Sequence, residues 1–177
     1  METEDNSLVY SQITSLLKES GAENINEVSD DKFWRTTFKY GQSIVFIHHN
    51  KNQRFMFVVF PNQIDNYEML TKINTALKDE KHGSGLRFTL ISTLTTPSTA
   101  YITHSKDNGF SGFDILTRIY PLEPGFSMRE LDDAIQRVVS VGVLGMVFIS
   151  EILNGQKLEQ KIIESDSKQS SPDGMYF

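Results

Sequence analysis

The four histidines are the residues of this chain with the clearest capacity for chemistry, because imidazole can bind a metal ion or exchange a proton near neutral pH. His48 and His49 are adjacent in a predicted strand, so their side chains point to opposite faces and cannot both bind one metal ion. His104 ends another predicted strand and could approach either of them, whereas His82 stands in the polar loop KDEKHGSG. No Asp or Glu stands at a recognisable ligand spacing from these histidines, and we therefore expect no metal site.

Motifs for nucleophilic and nucleotide chemistry are also missing from the sequence. A serine nucleophile on a G-x-S-x-G turn needs a strand that leads into a helix, whereas HGSG joins a predicted helix to a strand, and NGFSG fails for the same reason. No G-x-G-x-x-G or Walker sequence occurs. Asp132 and Asp133 are consecutive in a predicted helix and face different directions, which is ordinary for acids in a first turn. We predict a protein that is not an enzyme and has no catalytic residues and no cofactors.

The acidic charge of the chain is concentrated near its N-terminus. Residues 1–31 carry eight acidic side chains against Lys18, a balance of −7 in a chain of net charge −6. We expect this segment to form a solvated helix face and a loop. It repels phosphate backbones, and no basic and aromatic stripe is visible elsewhere, so we expect no nucleic-acid partner. The acidic start is unlike an export signal and the chain has no cysteine, from which we expect a cytoplasmic location.

The elements that carry these residues form an α+β pattern. Apolar residues recur at helical spacing from Ser7 to Ser20, and Gly21 follows where a C-terminal cap belongs. Three aromatic and β-branched runs come next, KFWRTTFKY, SIVFIHH and RFMFVVF, and they predict an antiparallel meander. The third run is apolar on both of its sides, so we expect both faces of the sheet to be covered.

The second half of the chain continues this pattern. A helix is predicted over residues 64–77, and LRFTLIST, TAYITHS and FDILTRIYPL predict three further strands. A long C-terminal helix begins with a capping box formed by Ser127 and Glu130. The sequence thus predicts a single α+β domain over residues 1–155, with an antiparallel sheet of five to six strands flanked by an N-terminal, a middle and a long C-terminal helix. Residues 156–177 are predicted to be a polar, partly disordered extension, in which Leu158, Ile162 and Ile163 could extend a helix before the disordered run SDSKQSSPDGMYF.

Two groups of apolar residues are candidate interaction surfaces. Trp34, Phe38 and Tyr40 share one side of the first strand of the meander and would form a docking surface if that face were exposed. The C-terminal helix contains VVSVGVLGMVFI, residues 138–149, which is apolar all round and shorter than a membrane span of about 20 residues. It must be buried in the core or shared with a partner, and its two glycines permit close approach. The candidate contacts in this helix are Val141, Gly142, Gly145 and Phe148.

The order of the elements resembles the YbjN family and the wider superfamily with the type III secretion chaperone-like fold. The run DILTRIYPLEPGFSMRELDDAI carries much of the resemblance, because it leads from a strand through a short linker into the capped apolar helix. The resemblance covers about residues 5–153. It implies a small acidic bacterial protein, often dimeric, that binds other polypeptides or acts in regulation without catalysis. One departure is the third later strand, where that fold commonly has two, which makes TAYITHS a candidate insertion.

Two functions remain open at this point. The first is a non-enzymatic protein-binding module, chaperone-like or regulatory, that forms a homodimer and uses its sheet face and C-terminal apolar helix to bind itself or a client protein. The second is a small ligand- or metal-binding sensor or enzyme with a pocket between sheet and helices, in which His48 or His49 acts with His104. We prefer the first function and expect no membrane partner.

Overall fold

A computed structural model of the protein describes residues 3–79, 85 and 99–169, with side chains for residues 6–79, 85 and 99–154. The helices are α1 (Thr3–Glu19), α2 (Tyr67–Leu77) and α3 (Met128–Gln169). The strands are β1 (Glu23–Ser29), β2 (Phe33–Tyr40), β3 (Ser43–Asn50), β4 (Met56–Gln63), β5 (Thr99–Lys106) and β6 (Gly109–Ile119). These strands form one antiparallel sheet in the order β1-β2-β3-β4-β6-β5. The predicted α+β architecture is confirmed, while LRFTLIST and His82 lie outside the described residues.

Strands β2, β3 and β4 form the antiparallel meander that the sequence predicts. Thr36 lies opposite Ile47, and Ile47 lies opposite Val58, so the three strands place these side chains on the same face. Strand β6 then pairs with the free side of β4, and β5 pairs with the outer side of β6. The TAYITHS strand therefore adds to one end of the described sheet without interrupting the meander.

Strand β1 is an element that the sequence does not predict. Among its seven side chains only Ile25 is partly buried, so the strand lacks the apolar alternation by which strands are recognised. Its backbone pairs with β2, and Asp30 closes the turn between the two strands by accepting hydrogen bonds from the backbone amides of Phe33 and Lys32 at 2.9 and 2.7 Å. These two hydrogen bonds lower the pKa of the Asp30 carboxyl. The acidic segment expected as a loop is thus partly a strand.

The helices cover one face of the sheet, which we call the core face. Its buried side chains include Trp34, Phe38, Ile47, Val58, Phe60 and Ile115 from the sheet, with Ile13 and Leu17 from α1, Ile73 from α2, and Leu131, Ile135 and Val138 from α3. The ring of Tyr10 in α1 stacks on Trp34 at a centroid distance of 4.5 Å. Helix α3 contacts β4 and β6, and α2 packs beside α3. The described helices thus lie on one side of the sheet, so the described residues show the expected cover for one of its two faces.

The helix ends follow the predicted signals. Gly21 has a φ of 81°, and the amide of Ala22 donates to the carbonyl of Leu17 at 3.0 Å, which ends α1 with a glycine cap. At the start of α3 the capping box is formed. The amide of Ser127 donates to Oε2 of Glu130 at 2.9 Å, and the amide of Glu130 donates to Oγ of Ser127 at 3.4 Å.

Helix α3 continues past the predicted domain boundary at residue 155. Its backbone is helical to Gln169, which includes Leu158, Ile162 and Ile163, the residues that the sequence offers for an extended helix. Residues 156–169 contain neither Gly nor Pro, so nothing in this stretch ends a helix. Ile152 is the last buried side chain among the described residues.

Candidate functional site

The aromatic residues predicted as a docking surface lie on the core face. Trp34 and Phe38 are only 2% and 1% exposed, and Trp34 stacks on Tyr10 of α1. Tyr40 is half-buried, and its hydroxyl donates to Oδ1 of Asp132 in α3 at 2.8 Å. The helices of the protein itself therefore occupy this aromatic face, and a partner cannot reach Trp34 or Phe38.

The candidate contacts in α3 lie on its buried side. Val141, Gly142 and Gly145 are buried and Phe148 is half-buried. A methyl group added at Gly142 would lie 2.2 Å from Cδ1 of Phe60, so α3 crosses β4 at very short range there. Gly142 thus provides the close approach inferred from the sequence, and it does so towards the sheet of the same chain.

The opposite side of α3 is exposed and apolar. Val143, Leu144, Met146 and Val147 are between 40% and 48% exposed, and we call these four residues the α3 stripe. By length and composition, the segment Met128–Asn154 is the one helix in the described part of the chain that could span a membrane. One side of this segment packs into the core and the other side is exposed, although the residues on both sides are apolar.

The side of the sheet opposite to the core face, which we call the open face, carries two rows of side chains that cross the strands. In the first row, Arg35 lies opposite His48, His48 opposite Phe57, and Phe57 opposite Arg118; we call it the arginine row. In the second row, Phe46 lies opposite Val59, Val59 opposite Leu116, and Leu116 opposite Ala100; we call it the apolar row. Within the apolar row, Val59 is buried and Phe46 and Leu116 are half-buried.

Both arginines of the arginine row stack on aromatic rings. The Cζ atom of Arg35 lies 4.7 Å from the ring centroid of Phe46, and that of Arg118 lies 4.9 Å from the ring centroid of Phe55. Such cation–π contacts hold a guanidinium in place while its N–H groups stay accessible. Both arginines are exposed. Among the described residues, neither guanidinium has a carboxylate oxygen within 4.0 Å.

The three described histidines, His48, His49 and His104, do not come together. His48 lies on the open face, where burial lowers its pKa, and His49 is fully buried on the core face. His49 donates from Nε2 to the carbonyl of Gln53 at 2.8 Å and accepts from the hydroxyl of Tyr10 at Nδ1 at 2.9 Å. His104 lies on β5, and its Nε2 atom is 3.0 Å from Oδ1 of Asp114 on β6. Strands β4 and β6 separate β5 from β3, which carries the other two described histidines. Within the described ranges, no group of three His, Asp or Glu side chains is placed to hold a metal ion.

A groove of about 370 Å³ lies between α2 and α3. The second function considered from the sequence requires a ligand pocket between sheet and helices, and this groove lies in that region. Its apolar lining includes Ile64, Met69, Met146 and Ile149. No histidine contributes to it, so it is not the histidine pocket considered from the sequence. Through Met146 the groove is continuous with the α3 stripe.

Apart from His48, the residues of the arginine row and the apolar row are not singled out by the sequence analysis. Alternation in β2 and β4 does place Arg35 opposite in direction to Trp34, and Phe57 opposite in direction to Val58. That signal shows which residues share a face. Alternation does not show which face the helices cover. The burial of Trp34 and Phe38 under the helices rules out the aromatic side of β2 as a docking surface.

Comparison with known proteins supports the fold and is silent on activity. No protein family and no curated protein matches the sequence. The structure is similar to the crystal structure of an uncharacterized protein from Methanothermobacter thermautotrophicus, with a TM-score of 0.66 and 17% sequence identity. The match covers 81% of this chain and 97% of the other chain. At this level of identity the two proteins share an architecture, and this chain is an α+β protein with one helix-covered antiparallel sheet.

Proposed function

We propose that this protein is a non-enzymatic protein-binding module, chaperone-like or regulatory, that acts through its sheet and its C-terminal helix. The observation that carries the proposal is the open face. An antiparallel sheet with one face in water normally has polar side chains there. Here that face has an apolar row, with Phe46, Val59 and Leu116 at its centre. A partner protein that covered this row would remove the half-buried side chains of Phe46 and Leu116 from water.

The composition of the open face is typical of binding surfaces. Aromatic residues and arginine are enriched in protein interfaces and dominate their binding energy. The arginine row and the rings that support it combine both types within one patch, in Arg35, Phe57 and Arg118. This is a different surface from the aromatic side of β2 first expected, and it serves the same proposed role.

The α3 stripe supports self-association as a second part of the proposal. An exposed apolar patch on a helix is a common site of contact between subunits, and most homodimers pair such a patch with itself around a two-fold axis. Pairing two copies through Leu144 and Val147 would remove both side chains from water. Membership of the YbjN family, with its often dimeric proteins, and a cytoplasmic location belong to this proposal as well.

The self-association is tested by the solution mass of the full chain, measured by light scattering. We expect a dimer for the wild type and a monomer for Leu144→Glu/Val147→Glu, because a buried carboxylate would oppose the pairing. Ile44→Glu is the matched control, since Ile44 is 60% exposed and lies on the open face opposite Lys39. This control should remain dimeric. A monomeric wild type would contradict the homodimer, and binding of that monomer to phospholipid vesicles through the stripe would assign the stripe to a membrane.

A further inference from the structure

We infer that the open face binds a segment of a partner protein that carries carboxylates and aliphatic side chains. This inference rests on the proposed protein-binding function and adds the chemistry of the partner. It follows from the positions of the two arginines, from the apolar row beside them and from the charges that surround them.

The arginine row defines where the carboxylates of the partner would lie. Arg35 on β2 and Arg118 on β6 are separated by two strands, so the sheet places them about 14 Å apart, at about 4.8 Å per strand spacing. A stacked guanidinium can accept a carboxylate at the fork of its N–H groups. Two acidic residues of a partner can span this distance of about 14 Å if they are about four residues apart in an extended segment. On one side of a helix they would be about seven to eleven residues apart.

The apolar row supplies the second requirement. It lies two residues along the strands from the arginine row, a distance of about 7 Å. Val59 lies in the middle of the row and is 6% exposed, and Phe46 and Leu116 on either side of it are half-buried. Aliphatic side chains of a partner would bury against this strip while the carboxylates reach the arginines beside it.

The open face carries more basic than acidic strand residues although the whole chain is acidic. Arg35, Lys39 and Arg118 stand there beside Glu23 and Asp114, and Glu23 pairs with Lys39 at 3.6 Å. Oδ1 of Asp114 is 3.0 Å from Nε2 of His104. Arg35 and Arg118 keep their charge without an ion pair in the described part of the protein. The face therefore favours a negatively charged partner.

An acidic protein segment fits this face better than a second copy or a nucleic acid. Two copies packed face to face would bring arginine row against arginine row, which repels. Bases of single-stranded nucleic acid need free aromatic rings for stacking, whereas the rings of Phe46 and Phe55 already carry guanidinium groups.

The test is a selection of random displayed peptides on the immobilised full-length protein. We compare the wild type with Arg35→Glu/Arg118→Glu and with the control Arg129→Glu, whose side chain is 90% exposed and lies on α3 outside the open face. We expect the wild type and the control to select peptides rich in Asp and Glu together with Leu, Ile and Val. The best of these peptides should bind the double variant about tenfold or more weakly, and its affinity for the wild type should fall as salt is added.

The outcomes separate this inference from the proposed function. If the wild type selects peptides without acidic enrichment, or if the double variant binds them equally well, the inference is wrong and the protein-binding function stands. If the wild type selects no peptide at all, the proposed client-binding function fails with it. Arginine-dependent binding of poly(U) RNA without peptide binding would overturn both in favour of a nucleic-acid partner. Circular dichroism checks the fold of each variant, and Arg35→Gln/Arg118→Gln replaces the double variant if charge reversal unfolds it.

Discussion

Single residues in this protein acquire their properties from the face of the sheet on which they lie. His49 is on the core face, where Tyr10 and the backbone of Gln53 satisfy both of its ring nitrogens. His48, one residue earlier, lies beside Arg35 on the open face. Partial burial is the main cause that lowers the pKa of His48; the hydrogen bond with Asn50 opposes this shift, and the charge of Arg35 adds to it. Two adjacent histidines thus have unrelated environments.

The lowered pKa of His48 predicts a pH dependence of stability. As the pH falls through about 6.5, the unfolded chain takes up a proton at His48 before the folded protein does, so the free energy of unfolding decreases. Urea unfolding of the wild type and His48→Gln between neutral and mildly acidic pH measures this contribution. We expect the variant to lose less stability on acidification. The other histidines are present in both proteins and cancel in the comparison, so equal slopes would contradict the prediction.

At the level of the elements, helix α3 crosses strand β4 at very short distance at Gly142. Gly142 sits against the ring of Phe60, which is 3% exposed and has little room to move. A glycine inside a helix costs about 1 kcal/mol relative to alanine, so the position would favour alanine if helix propensity alone mattered. The short crossing distance explains why glycine is needed here.

Gly142→Ala should therefore destabilise the protein. The added methyl group forces Phe60 or the backbone of α3 to shift, at a cost of about 1–3 kcal/mol, which exceeds the gain of about 1 kcal/mol in helix propensity. Ser140→Ala, at an exposed position two residues earlier in α3, is the control and should be neutral or slightly stabilising. Denaturant unfolding measures both. Adding Phe60→Leu to Gly142→Ala should recover part of the loss, and a fully additive double variant would show that Phe60 is not the cause.

At the scale of the whole molecule, the described residues form a sheet with helices on one face and the arginine and apolar rows on the other. The two surfaces that we propose for partners, the open face and the α3 stripe, belong to different elements, because the stripe is formed by α3 and the two rows are formed by the strands. Under the proposed function, a second copy bound at the stripe would leave the open face free.

We predict that the chain shortened to residues 1–155 keeps its fold. Removing residues 156–177 deletes no buried side chain of the described domain, so the thermal unfolding midpoint should change little. Shortening the chain to residues 1–150 is the matched control. It removes Ile152, which is 5% exposed, and should cost about 2–5 kcal/mol, as the loss of a buried aliphatic side chain commonly does. A large loss already at residue 155 would show that the tail belongs to the folded core.

The sequence by itself determined the elements of this protein whose signals are local. Periodicity located α1, α2 and the meander, Gly21 marked the end of α1, and Ser127 with Glu130 marked the start of α3. These features depend on contacts within a few residues of the chain, so their residue types carry the information. Strand β1 escaped prediction because it is held by backbone pairing with β2 and buries almost nothing of its own.

Only the tertiary structure decided which face of the sheet is covered. In β4 both sides are apolar, so alternation assigns Val58 and Val59 to opposite faces without saying which one the helices take. That choice depends on where α1 and α3 pack, and their contacts join residues far apart in the chain, such as Tyr40 with Asp132. The surface predicted from the sequence, around Trp34, therefore differs from the surface proposed from the structure, the arginine row. Side-chain alternation is a local property of a strand, whereas burial is determined by packing between residues far apart in the chain.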